Sequence, residues 1–530
     1  MLQRFYSSFN VAFEATTQRY GRAVKNLLKY RWITAVVLVL AGVLIWWSSS
    51  VTPSGFVPSE DRGVVFMNME LPPGTSMDRT FAATQEMYDE IEQVDGVRTA
   101  TTIAGRNFFS GSGSSYGMGF ILLEDWVNRD SENESLEAIT GQLFKRSKKI
   151  KDADIIFFTP PSIPGFGSSD GFKVELLDKS AGDLKRMNDV AEEFIGKLRQ
   201  RKEIAFASNS FSTEFPQYEL SVDVALAKRA GVSIDDILNT LQGYYGGIYS
   251  TDFSKFGKPY KVYLQSLPED RANKDALKQV FVRNENGEMA PIASFVELKK
   301  IYGPQTINRF NLFNSVSING SSAPGYSSGD AIKAVEEVAE TLPLNFDIAF
   351  SGITREEIRS QGQAPIIIGL SILFVFFFLA AQYESYLLPF SVLFSLPVGV
   401  AGAYFTTYIA GLENNIYFQI ALVMLLGLLA KNAILIVEFA RQRRQQGMSL
   451  AQSAIDGAKV RLRPILMTSF AFILGLLPLV LANGVGAAGN NSIGTGAAGG
   501  MLIGTIVGLF IIPVFYVIFQ WLHEKVSLKK

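Results

Sequence analysis

The sequence contains no cysteine and a single histidine, His523, in 530 residues. Without cysteine there are no disulfides, no thiolate nucleophile and no cysteine metal site, although the compartment is not fixed by this. One histidine at the end of an apolar run leaves no histidine metal centre and no histidine-based catalysis, so no metal site is expected. Charge of one sign is not in excess either: 49 Lys and Arg face 50 Asp and Glu, for a formal net charge of −1. No broad basic surface is available, and no nucleic-acid partner is expected. Charge is also missing from long stretches, with none between Arg31 and Glu60, between Glu384 and Glu413, or from Pro464 to Leu522.

What is present is hydrophobic: 48% of the residues, including 40 Phe, together with 46 Gly, in a chain that is still 19% charged. The two fractions are reconciled by segregation into membrane and soluble parts. The first apolar segment, Trp32–Ser49, follows a basic helix-like stretch with Arg19, Arg22, Lys25, Lys29 and Arg31 and ends near the interfacial pair Trp46 and Trp47. A signal peptide has a shorter basic region and a small-residue cleavage site, so a retained span is the better reading. Further spans are read at Pro365–Gln382, Leu387–Ala410, Ile416–Ala440, Ile465–Ala482 and Ile493–Leu522, six in all. Segment 441–463 carries Arg441, Arg443, Arg444, Lys459, Arg461 and Arg463 against Asp456 alone, and the C-terminal end holds Lys525, Lys529 and Lys530. The positive-inside rule then places both ends and this basic loop inside, and the large loop 50–362 outside.

That outer region shows an internal repeat. A strand-like GVVFMNMEL (63–71), a helix near 79–92, strands near 97–103 and 116–123, a helix near 132–147 and a strand at 153–159 follow the β-α-β-β-α-β order of the split βαβ module. A second series starts at GFKVELL (171–177), continues through a helix at 181–199, and resumes at NSVSING (314–320) and a helix at 328–341. An insertion of roughly 214–305 separates its two parts. One irregular α+β domain is the alternative organisation.

Lys431 stands alone in YFQIALVMLLGLLAKNAILIV, a run long enough for a helix to cross ~30 Å of hydrocarbon. A charge there costs on the order of 2.5–3.5 kcal/mol on insertion scales. The helix end at Arg441 is about 15 Å away, beyond the reach of a snorkelling side chain. A carboxylate partner is required, and the spans offer only Glu438, two turns along the same helix. A neutral, desolvated lysine without function is the plain alternative. Arg461 and Thr468, on one face of the fifth span, could join Lys431 in a protonation-sensitive network. Equally, Arg461 could be an interfacial anchor and Thr468 could bond to its own helix.

In the last span Gly496, Gly500, Gly504 and Gly508 recur at spacing four, a flat face for close helix packing. Outside the spans, GRNFFSGSGSSYG (105–117) reads as a Gly/Ser-rich loop with Phe108 and Phe109 at its root. Those rings are exposed unless the loop folds over an apolar cavity, which Phe120 and IIFFTPP (155–161) could line.

The chain resembles the resistance–nodulation–division transporters, specifically the C-terminal half of the AcrB/MexB-type multidrug efflux branch. The motifs that carry this are PSGFVPSEDRG (53–63), LEDW (123–126), DFSKFGKPYKVY (252–263), AAQYES (380–385), GLLAKNAILIVEFA (427–440), VRLRPILMTSFAFILGLLPL (460–479) and NNSIGTGAAGGM (490–501). The resemblance implies a helical membrane bundle of six spans in a 1+5 layout, with a large periplasmic α+β region of two ferredoxin-like split βαβ modules and an inserted docking subdomain. The corresponding segments are 1–31 (cytoplasmic amphipathic segment), 32–50 (first span), 51–160 (first porter module), 161–213 with 306–362 (second porter module), 214–305 (docking subdomain), 363–523 (five spans) and 524–530 (cytoplasmic tail).

It also implies a proton/drug antiporter, and no enzyme, in the bacterial inner membrane. Such a pump exports hydrophobic and amphiphilic compounds with no cofactor beyond the proton-motive force. Lys431 matches a lysine that pairs with two aspartates of the N-terminal half, and Arg461 and Thr468 match members of the same proton relay. Residues 105–117 match a switch loop between drug pockets, with Phe108 in a conspicuous aromatic position and Phe109 beside it. Ile103, Phe120, Ile156 and Phe158 match pocket-lining positions. Expected partners are the N-terminal half, two further copies in a homotrimer, a periplasmic adaptor protein, an outer-membrane channel and the lipid bilayer. A full pump is about twice this length. The chain starts just inside the segment that joins the halves, so it is expected to be one chain of a two-chain pump or a piece of a longer one, and not to pump alone. Arg106, Gly111 and Pro160 depart from residues common in the family. A heavy-metal exporter of the same fold is disfavoured by the lack of soft ligands; a non-transporting export accessory built from half the fold is the other alternative.

Overall fold

The structure, a computed structural model, describes residues 2–527 apart from 130, 168, 181 and 361; Lys529 and Lys530 lie outside the described residues. The chain divides into two compact units, Met1–Phe211 with Ile307–Lys530, and Ser212–Thr306.

Helix α1 (Leu2–Lys29) is amphipathic: Tyr20, Val24 and Leu28 are buried at helical spacing while Arg19, Arg22 and Lys25 face outward. The Tyr20 hydroxyl donates to the Leu509 carbonyl (2.6 Å), fastening this helix to the bundle. After a break at Tyr30–Arg31 the chain continues as the uncharged α2 (Trp32–Val51).

The α/β region begins with β1 (Val64–Glu70), α3 (Met77–Ile91), β2 (Val97–Asn107), β3 (Gly111–Leu123), α4 (Leu136–Ser147) and β4 (Asp154–Phe158). Their antiparallel sheet has the order β2-β3-β1-β4. Strict alternation along β1 sends Val65, Met67 and Met69 to one face. There they pack with Met87 and Ile91 of α3 and Ile139 and Leu143 of α4. A second sheet opens with β5 (Phe172–Asp178), α5 (Leu184–Arg199) and β6 (Ile204–Ser208).

The chain then enters the second unit. It contains β7 (Phe215–Val222), α6 (Val224–Arg229), α7 (Ile234–Leu241), β8 (Ile248–Lys255), β9 (Lys258–Leu264), β10 (Phe281–Arg283), β11 (Met289–Pro291) and β12 (Val296–Gly303). A small core of Ala227, Val232, Ile237, Val282, Ile292 and Phe295 holds it together. The β8–β9 hairpin stands clear of that core, with Phe256 85% and Tyr263 59% exposed.

Back in the first unit, β13 (Asn308–Phe310), β14 (Phe313–Ser322), α8 (Ser328–Ala339), β15 (Phe346–Phe350) and α9 (Gly352–Ser360) complete the second sheet. Its order is β13-β14-β5-β15, with β6 also paired to β14. Ser327 and Asp330 form a capping box at the start of α8.

The remaining helices are α10 (Gln363–Tyr383), α11 (Pro389–Leu393), α12 (Leu396–Ile409), α13 (Ile416–Gln445), α14 (Leu450–Val480) and α15 (Ala487–Ser527). Among the described residues, α2, α10, α11 with α12, α13, α14 and α15 make six helical segments long and apolar enough to cross a membrane. The break at Phe394–Ser395 falls just before Pro397, whose ring and missing N–H disrupt the preceding turn.

Two expectations are corrected. Segment 441–463 is not a loop: α13 runs on to Gln445 and α14 starts at Leu450, so its basic residues sit on helical extensions around a short turn. Gly447, at φ +93°, ends the first helix, and the Ser449 side chain accepts from the Gln452 N–H to start the second. The Gly/Ser-rich segment 105–117 is mostly strand, with only Phe108–Ser110 forming the turn between β2 and β3. Pairing of β2 with β3, the register of Tyr116 and Gly117 on β1, and two asparagine side chains override its weak strand propensity.

Candidate functional site: an uncovered lysine and an aromatic sheet face

In α13, Leu429, Ala430, Asn432 and Ala433 are buried in the bundle while Lys431 is exposed. Among the described residues, no hydrogen bond or ion pair reaches Lys431. Gly427, one turn earlier, is exposed on the same face. Neighbouring α14 also leaves Met467 (67%), Phe470 (51%) and Leu474 (61%) uncovered. The lysine therefore lies on the side of the bundle that this chain does not pack.

Behind it is a polar contact that the sequence did not announce. Asn432 Nδ2 donates to Ser469 Oγ (3.1 Å) and Thr505 Oγ1 (3.4 Å), and Thr505 Oγ1 donates to Ser469 Oγ (3.2 Å). All three residues are buried, on α13, α14 and α15. In an apolar bundle such a triad pins the three helices in register. It also sets Thr468 at the depth of Lys431, since each adjoins a member of the triad. The Thr468 hydroxyl donates to the Ile465 carbonyl of its own helix (3.1 Å). Arg461 lies elsewhere: its guanidinium covers the Phe439 ring at 3.6 Å, eight residues or about 12 Å of helix beyond Lys431. The three expected relay residues are thus on adjoining helices, with Arg461 offset toward one end.

The second candidate lies on the face of the first sheet opposite α3 and α4. Cross-strand register aligns Phe120, Phe66 and Phe158 in one row. The next row holds Ile103, Met118, Asn68 and Ile156, and the one after it Tyr116, Glu70 and Asp154. Phe108, on the turn, stacks on Phe66 (4.7 Å between ring centroids) and meets Phe120 (5.4 Å) and Phe158 (5.6 Å) edge-on. Phe66 makes edge contacts with Phe120 (5.2 Å) and Phe158 (5.9 Å), and Phe109 lies against Phe158 (5.1 Å). Ile103, Phe108, Phe109, Phe120, Ile156 and Phe158 are therefore brought to one place. Phe66, the central ring, was missed, because it stands in an apolar run and only its register with Phe120 and Phe158 shows which face it takes.

A half-buried carboxyl adjoins the rings. Glu70 Oε1 accepts from Asn107 Nδ2 (2.5 Å) and Asn68 Nδ2 (3.4 Å). Burial pushes its pKa up to about 7, against the Asn107 hydrogen bond and with help from the facing Asp154. An apolar cluster with a few convergent polar groups is the chemistry of a site for bulky, greasy molecules.

Truncating Phe66 removes the central partner of three rings, and each aromatic pair contributes about 0.5–1.5 kcal/mol beyond burial. Phe66→Ala is expected to raise hydrogen–deuterium exchange across β1–β4 well above the level in Phe109→Ala, because Phe109 has only Phe158 among these rings. Equal effects would show that the cluster does not cooperate.

A sequence model of the AcrB/AcrD/AcrF family matches residues 1–520. The chain is 38% identical over 517 residues to the toluene efflux pump membrane transporter TtgB of Pseudomonas putida, covering 97% of this chain and 49% of that protein. It is 35% identical over 526 residues to the multidrug resistance protein MdtF of Escherichia coli, covering 98% and 50%. The chain spans about half the length of the curated relatives it matches. The family match over nearly the whole chain, with six membrane-length helices and a mixed α/β soluble region, shows that it belongs to the AcrB/AcrD/AcrF family of efflux transporters.

Proposed function

We propose that this chain forms the C-terminal half of a proton-driven exporter of hydrophobic and amphiphilic compounds in a bacterial inner membrane. The observation that carries this reading is Lys431: a mid-span cation without a partner among the described residues, on a face the chain leaves open. Its partner is a pair of membrane-embedded carboxylates in an N-terminal half. Proton binding there would discharge Lys431 from its ion pair and let α13 shift. The triad Asn432–Ser469–Thr505 would pass that shift to α14 and α15. Thr468 sits at the same depth, and Arg461 guards the inner end of the relay.

In this reading the soluble region is periplasmic and the two sheets are ferredoxin-like porter modules, which the strand order β2-β3-β1-β4 supports. The aromatic face lines the substrate pocket. The Ser212–Thr306 unit is the docking subdomain, and its exposed β8–β9 arm suits insertion into a neighbouring copy of a homotrimer. A periplasmic adaptor and an outer-membrane channel complete the export path. The relatives' names, a toluene efflux pump and a multidrug resistance protein, agree with substrates of this class.

The test is reconstitution of the chain in proteoliposomes, alone and with an N-terminal half bearing the carboxylate pair. Dye export driven by a pH gradient is expected only with both halves. Export by this chain alone, or by both without a pH gradient, would overturn the proposal.

A further inference from the structure

The turn that carries Phe108 is held in an unusual way. Its three backbone N–H groups bond to side chains: Phe108 N–H donates to Asn68 Oδ1 (3.1 Å), and Phe109 and Ser110 N–H donate to Asn107 Oδ1 (2.6 and 3.1 Å). Both asparagines in turn direct their Nδ2 groups to the one carboxylate, Glu70. An ionised carboxylate offers only acceptors, so each amide must present its NH2 to Glu70 and its oxygen to the turn. Glu70 thereby orders both acceptors without touching the turn.

We propose that Glu70 is a positioning residue for the aromatic cluster. Its carboxylate, acting through Asn68 and Asn107, holds the Phe108–Ser110 turn closed over Phe66, Phe120 and Phe158, and its protonation loosens that turn to admit an apolar or amphiphilic substrate. The role in substrate entry rests on the transport reading above; the clasp itself does not. The groups facing Glu70 are Asp154 on β4, Tyr116 on β3 and Asn107 on β2. Asp154 favours protonation, and the Asn107 bond opposes it.

Two quantities then move in opposite directions with pH. Glu70 titrates at about 7, above the ordinary carboxyl range. Between that range and about 7 the folded chain holds a proton that the unfolded chain has released, so falling pH stabilises the module globally. Over the same fall the clasp exchanges a charge-assisted acceptor for a weaker neutral one. A residue with only a structural role would loosen the turn and the module together.

The test is pH-resolved hydrogen–deuterium exchange on the full chain in detergent, corrected for intrinsic exchange. From pH 8 to pH 6, protection of the Phe108, Phe109 and Ser110 amides is expected to fall about fivefold, while β1 and β4 become no less protected. Glu70→Gln should abolish this pH dependence. Asn107→Ala should expose the Phe109 and Ser110 amides at every pH while sparing Phe108, and it serves as a second variant if Glu70→Gln does not fold. Turn protection that is flat from pH 8 to 6 in the unaltered chain, or unchanged pH dependence in Glu70→Gln, would overturn the proposal. Because the readout requires no transport, its failure is distinguishable from failure of the transport reading.

Discussion

Lys431→Ala is expected to reduce pH-driven export by the proposed two-half pump to background, while the amount of chain in the membrane stays constant or rises. The two halves of that result follow from one cost. Placing a lysine at mid-span is unfavourable by about 2.5–3.5 kcal/mol on insertion scales, so its removal eases insertion. The exposed position explains why packing should survive: the α13 neighbours Leu429, Ala430, Asn432 and Ala433 fill the bundle and Lys431 does not. Among the described residues, no hydrogen bond or ion pair depends on the ammonium. In the proposed pump, what depends on it is the charge balance of the N-terminal carboxylate pair, which without a counter-cation would stay protonated at the working pH. A carboxylate that never releases its proton cannot couple a gradient to a conformational cycle.

Lys431→Met, which keeps the length of the stem and loses only the charge, should fail in the same way. The measurement is initial-rate dye export across an imposed pH gradient, normalised to folded chain by fluorescence-detected chromatography. Normal export by either variant would remove Lys431 from the mechanism.

The parts of this arrangement that were legible in the sequence are those written in consecutive residues. Apolar runs marked the spans, and the strand-like VVFMNME marked β1. The helical extensions around Gln446–Ser449 were obscured because a run of Arg and Lys with Pro464 resembles a loop. Yet Gly447 and Ser449 are ordinary stop and start signals, and Pro464 is accommodated inside α14. The 105–117 hairpin was obscured for the opposite reason, since Gly and Ser carry little strand propensity and the two strands hold each other across the turn, with only Tyr116 and Gly117 reaching β1. Neither the Glu70–Asn68–Asn107 clasp nor the Asn432–Ser469–Thr505 triad has a local signature. Each joins residues that only the folded topology brings together.

The glycine stripe of α15 shows the same dependence on partners, and it leads to the largest expected loss of stability. Spacing four suggested one uniform packing face, but the positions differ. A Cβ at Gly504 would lie 2.7 Å from Leu429 Cδ2 and 3.0 Å from the Gly399 Cα of α12. One at Gly500 would lie 2.9 Å from the Gly399 carbonyl oxygen and 3.0 Å from Ala403 Cβ. At Gly508 it would meet only Ile512 Cδ1, one turn along the same helix, at 3.5 Å. The backbone of α12 cannot retreat from Gly504 as the tip of a side chain can, so valine there must push two helices apart. Overpacking of this kind costs about 1–3 kcal/mol. The separation also strains the hydrogen bonds of Thr505, the next residue, and of its partners Asn432 and Ser469. Gly504→Val is therefore expected to lower the apparent melting temperature in detergent by several degrees or more and to cut the yield of folded chain. Gly508→Val should stay close to the unaltered protein, since helix propensity changes little and space is available. If both variants melt alike, the close approach of α12 and α15 at Gly399 is not what holds the bundle together.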